Sequence, residues 1–109
     1  MNVRLFVWQR ITAAIMAPLV LGHLAVIFYA TTNGLSAAEI LGRTRGSVGW
    51  ALFYGVFVFA ASVHGAIGVR QIAAEWGRVR GTALDLLMFL FGGLLFLLGL
   101  RAVVAVVLP

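Results

Sequence analysis

The sequence predicts an all-α integral membrane protein with three transmembrane helices, and three observations predict it. Hydrophobic residues make up 63% of the 109 residues, with a mean hydropathy of +1.11. A soluble domain of this size has too little interior to hide that much apolar surface. The apolar residues fall in three long runs, each exceeding the roughly 20 residues needed to cross about 30 Å of hydrocarbon. The runs are continuous, without period-2 alternation, which argues against a β-barrel.

The first span is expected over residues 5–31, the second over 47–74 and the third over 83–107, within a single domain covering 1–109. The first could be mistaken for a signal peptide. Its apolar stretch is too long for an h-region and no convincing A-x-A site follows, so it reads as a retained helix. Between the first two spans, Asn33-Gly34 signals a turn. Ser36-Ala37-Ala38-Glu39 has the form of a capping box, so a short surface helix is expected over residues 37–41. The second connection, Glu75 to Thr82, is short and basic. Thr82, with Asp85 three residues on, is placed to cap the third span, where a carboxylate also suits the helix dipole.

All eight basic residues are arginines, and they lie mainly at the edges of the apolar runs. The sequence pI near 11.5 therefore marks no nucleic-acid patch, and no nucleic-acid partner is expected. The lipid bilayer is the surrounding medium. Arg4, Arg10, Arg70, Arg78 and Arg80 fall on one side; Arg43, Arg45 and Arg101 fall on the other. The positive-inside rule puts the N-terminus in the cytoplasm. The chain has no cysteine, so it holds no disulfide and no Cys-ligated iron–sulfur cluster of its own. No GxGxxG or P-loop stretch is present.

Two histidines, the only two in the chain, lie inside apolar spans: His23 in the first and His64 in the second. An ionisable side chain there is costly and marks a candidate functional site. Imidazole is also suited to ligating haem iron from within a helix. His64, Gly68, Gln71 and Glu75 share one helical face. Gly68 leaves the backbone beside His64 open to something flat and bulky, or to another helix. His64 is therefore either a haem ligand or a histidine bonded across a small-residue helix contact. His23 follows Gly22 and lies five residues after Pro18, which tends to kink a helix. The kink either makes room for a cofactor or serves packing.

Depth is a further test. His23 is thirteen residues beyond Arg10, roughly 20 Å, and His64 is eleven before Glu75, roughly 16 Å. If Arg10 and Glu75 mark one membrane edge, both histidines lie near the midplane, His23 somewhat further out. This leaves open whether they serve one haem or two. At that edge, Trp8 and Arg78 fit interfacial anchoring and snorkelling. Arg10 and Glu75, a cation and a carboxylate near aromatics, also suit binding and protonating a quinone carbonyl. Arg101 is expected at the outer interface, snorkelling or facing a haem propionate.

Gln9-Arg10-Ile11-Thr12 with His23 thirteen residues after the arginine, and His64-x-x-x-Gly68 followed by Glu75-Trp76-Gly77, resemble the first and second helices of succinate dehydrogenase and fumarate reductase cytochrome b membrane anchors. The resemblance covers essentially the whole chain. It implies half of a helix bundle, completed by a second membrane-anchor subunit. A flavoprotein subunit and an iron–sulfur subunit would dock on the cytoplasmic face of a bacterial inner membrane. Electrons would pass between succinate or fumarate and quinone, a step of the tricarboxylic acid cycle. The resemblance implies that His64 is an axial ligand of haem b and that His23 is the additional ligand of two-haem members. Each histidine would then serve a separate haem, with His64 on the inner and His23 on the outer, and the partner would supply two histidines of its own. Gly68, Arg10, Glu75 and Trp76 complete the expected cofactor and quinone contacts. The match has departures: Glu75-Trp76 stands where relatives often have Asp-Tyr, and Phe6 and Gln9 replace a Ser and a His.

Other classes are less well served by the residues. A small multidrug-type transporter needs a fourth span and a membrane-embedded acid, whereas Glu39, Glu75 and Asp85 all fall at helix ends. Cytochrome b subunits of other respiratory complexes usually carry more helices. A haem-free anchor would use the histidines only for packing.

Overall fold

The computed structural model describes residues 2–108. It is all-helical, with α1 over Val3–Asn33, α2 over Ala37–Thr44, α3 over Val48–Glu75 and α4 over Thr82–Val107. Three of them, α1, α3 and α4, are long and apolar enough to cross a membrane. The long axis measures 48 Å, close to the roughly 46 Å that the 31 residues of α1 span as a helix.

Caps set the ends. Asn2 Oδ1 accepts the Leu5 N–H at 2.8 Å, so α1 starts two residues before the expected Leu5. Ser36 and Glu39 form the expected capping box: Ser36 Oγ accepts from Glu39 N at 3.2 Å, and Glu39 Oε2 accepts from Ser36 N at 3.0 Å. α2 runs three residues past the expected end because its last turn is tied to α4. Thr44 Oγ1 donates to Val106 O at 2.6 Å. The expected cap of α4 by Thr82 is corrected. Gly81 takes the N-cap position at φ 68°, with no side-chain cap, and Thr82 is already helical. Asp85 turns instead to Arg70 of α3, 3.3 Å away.

The helix α3 is the spine. α1 packs along one of its faces and α4 along another. The α3–α4 seam is close because α4 presents glycines. A Cβ added at Gly92 would fall 2.8 Å from Ala66 Cβ, and one at Gly99 would fall 2.5 Å from Val58 Cγ1. In lipid, where tails are as apolar as leucine, such close packing holds helices together. Buried apolar side chains are few and mostly small: Ala30, Ala60, Ala66, Ile67, Leu84 and Val107. Many large ones face outward, including Phe28, Phe89 and Leu90. An open apolar groove of about 510 Å³, bordered by Trp8 of α1, Val63 and Ile67 of α3 and Met88 of α4, lies among the three spans. The layer covers one flank of α1 and of α4 and two of α3, and leaves the outer flanks of α1 and α4 for lipid or protein.

Candidate functional site

The α1–α3 interface brings together Gln9, Thr12 and His23 of α1 and His64 of α3. On α3, His64, Gly68, Gln71 and Glu75 lie on one face as their spacing requires. On α1, Gln9 and Thr12 are three residues apart and share a face in the same way. The two faces meet. His64 Nδ1 lies 3.3 Å from Thr12 Oγ1. A Cβ built at Gly68 would stand 3.6 Å from Gln9 Nε2, so the open backbone at Gly68 faces the Gln9 amide. Gln9 Oε1 is buried with no hydrogen-bond partner among the described residues. Nearer the helix end, Gln71 Nε2 donates to Glu75 Oε1.

His23 sits at another level of the same interface. Its ring meets Tyr54 and Phe57 of α3 edge-on, at centroid distances of 6.1 and 5.7 Å. Tyr54 in turn stacks on Trp50 at 5.6 Å. Gly22 beside it lets Phe53 approach: an added Cβ would lie 3.2 Å from that ring. α1 runs helically through Pro18, and aromatic rings fill the α3 side of His23. Its Nδ1 is buried without a hydrogen-bond partner among the described residues, an arrangement that costs about 1–3 kcal/mol unless a further group meets it.

These contacts correct the depth reckoning. Thr12 is level with His64, and His23 is eleven residues further along α1. The imidazoles are thus separated by roughly 16 Å along the spans, not by a few Å. Arg10 and Glu75 do not share a level either. Gln9 lies beside Gly68, seven residues from Glu75, which sets Glu75 roughly 10 Å nearer the end. The Arg10 guanidinium turns back over the Phe6 ring, 5.2 Å from its centroid, which recovers part of that distance by snorkelling. Glu75 is exposed and Trp76 is 84% exposed. Arg101 is exposed on α4.

Sequence reasoning placed Gln9 and Thr12 within the Gln9-Arg10-Ile11-Thr12 resemblance and gave them no contact with α3. The available signal was a polar pair at i, i+3 on α1 matching the His64–Gly68 pair at i, i+4 on α3. Among the described residues no three His, Asp or Glu side chains gather to hold a bare metal ion. What the interface offers is single imidazoles at separate depths. The two rings are too far apart to meet at a single metal ion.

A family model described as succinate dehydrogenase/fumarate reductase transmembrane subunit matches residues 1–100. No curated protein and no solved structure matches the chain. With three apolar spans and the family match extending through most of the third, the chain belongs to the succinate dehydrogenase/fumarate reductase transmembrane subunits.

Proposed function

We propose that this chain is a haem b-binding anchor of a succinate:quinone oxidoreductase, passing electrons between an iron–sulfur subunit and membrane quinone. The observation that supports haem is the pair of imidazoles in one interface at two depths. Side chains so far apart cannot both bind one iron, so His64 and His23 would each hold a separate haem together with residues of a second anchor subunit. Bound haem b supplies one-electron ferric–ferrous chemistry. His64 offers a ring nitrogen whose partner nitrogen is already engaged. His23 offers an imidazole with an unmet polar atom. The surrounding spans exclude water.

Arg10 donates to the quinone headgroup at the cytoplasmic side, and the indole N–H of Trp76 is a second donor. Glu75, with Gln71 beside it, takes protons from cytoplasmic water. Gly68 lets the Gln9 amide of α1 lie against the α3 backbone one turn from His64. The N-terminus lies in the cytoplasm of a bacterial cell, and the iron–sulfur and flavoprotein subunits dock at that face.

A reduced-minus-oxidised spectrum of the purified complex tests the haem reading. A b-type α-band is expected, and its absence overturns the proposal. Arg10→Ala should lower quinone reduction while leaving the spectrum intact. Unchanged quinone reduction removes Arg10 from the quinone site.

A further inference from the structure

Thr12 is 1% exposed, on a helix that is otherwise largely open. Its hydroxyl has one proton and three neighbours: Trp8 O at 2.8 Å, Gln9 O at 3.2 Å and His64 Nδ1 at 3.3 Å. Two of these are carbonyl oxygens, which only accept. A helical threonine ordinarily gives its proton to such a carbonyl one turn back, and the shortest of the three distances is to Trp8 O. That leaves the Thr12 oxygen with lone pairs toward the imidazole, so His64 Nδ1 must be the donor. A neutral imidazole carries one N–H. With it on Nδ1, the free lone pair is on Nε2.

We infer that Thr12 is a positioning residue of the His64 haem site: its hydroxyl accepts from Nδ1–H, fixes the tautomer and ring orientation, and holds the Nε2 lone pair ready for iron. This rests on the haem reading above. The physical reason is general. The hydrogen bond made by one ring nitrogen decides which nitrogen is free to bind metal, and it raises the basicity of the bound ligand. A hydroxyl turned toward Nδ1 from a buried position also stops the ring from rotating away. Thr12 touches no iron; it acts through His64.

The test uses the whole complex with Thr12→Val, which keeps the shape and removes the hydroxyl, and Thr12→Ser, which keeps the hydroxyl. Thr12→Val should retain the complex but hold one haem about tenfold more weakly. It should also shift that haem's midpoint potential upward, because a less basic ligand favours ferric iron less. Thr12→Ser should restore both. Wild-type potential and retention in Thr12→Val overturn the inference, as does a Thr12→Ser variant that behaves like Thr12→Val. If Thr12→Val does not assemble, histidine ¹⁵N spectra of the full wild-type chain, produced without haem in lipid, decide instead. A protonated Nδ1 on His64 supports the inference, and a bare Nδ1 overturns it. Failure of the underlying haem reading is distinguishable: the wild-type complex then lacks the b-type band altogether, and the inference falls with it.

Discussion

Gly92 of α4 stands so close to Ala66 of α3 that a single added methyl group would lie 2.8 Å from the Ala66 Cβ. The next residue, Gly93, has nothing within 4 Å of the same position. The two adjacent glycines therefore make opposite demands. Gly92→Ala should destabilise the membrane domain by about 1–3 kcal/mol through overpacking. Gly93→Ala should be neutral, or stabilising by up to about 1 kcal/mol, since alanine is the better helix former. Denaturant titration of the two variants in mixed micelles checks this, and equal losses would show that the seam does not depend on Gly92.

The two histidines should be separable. His64→Ala is expected to remove one b-type haem signal, and His23→Ala the other, each leaving roughly half of the haem content. The expectation follows from their different contacts, Thr12 for one and Tyr54 with Phe57 for the other. Quantitative haem extraction from each variant is the measurement. Loss of all haem in either variant would contradict two independent sites, unless the complex itself had come apart, which subunit content on a native gel reveals.

Arg70 and Asp85 join α3 to α4 at 3.3 Å, but the Asp85 side chain is 56% exposed. An ion pair so open to water contributes about 0–1 kcal/mol and is screened by salt. Asp85→Asn should therefore cost less than about 1 kcal/mol at low ionic strength and nothing measurable at 1 M salt. Micelle unfolding at both salt concentrations tests it.

In α2, the Ser36 hydroxyl holds the Glu39 carboxyl below its ordinary value of 4.5, helped by the Ser36 backbone N–H and by Arg43. A carboxyl with a lowered folded-state value stabilises the fold above the unfolded value. That contribution disappears as pH falls through the folded value. The α2 capping box should thus be intact at neutral pH and loosen only in acid, below about pH 4.5. Ser36→Ala should move the Glu39 titration upward. Carboxyl ¹³C shifts followed against pH give the answer, and an unchanged midpoint in Ser36→Ala would exclude Ser36 as the cause.

Much of the fold was legible in the sequence because hydropathy along a single helix is a local property. The spans could be read from uninterrupted apolar runs, and α2 from Ser36 and Glu39. What could not be read was how the helices stand beside one another. Counting from Arg10 along α1 and from Glu75 along α3 measures each helix on its own ruler, and nothing in either run fixes the offset between rulers. Packing fixes it, through Thr12 against His64 and Gln9 against Gly68. The same lack of register hid Thr12. In isolation it is one more helical threonine bonded back to Trp8 O. The cap of α4 was missed for a related reason: the competitor for Asp85 is Arg70, fifteen residues away in sequence and on another helix.

Because α1 and α4 both pack on α3, the order of synthesis acquires a meaning. Domains and segments emerge from the ribosome N-terminal end first. α1 is then made before the α3 surface against which Thr12 and His23 pack. Arrival of α3 brings His64 to the Thr12 hydroxyl and Tyr54 with Phe57 to the His23 ring, so the pairing of α1 with α3 is the step that sets both side chains into an interface. α4 comes last and fits onto a surface already complete, its glycines closing over Ala66 and Val58.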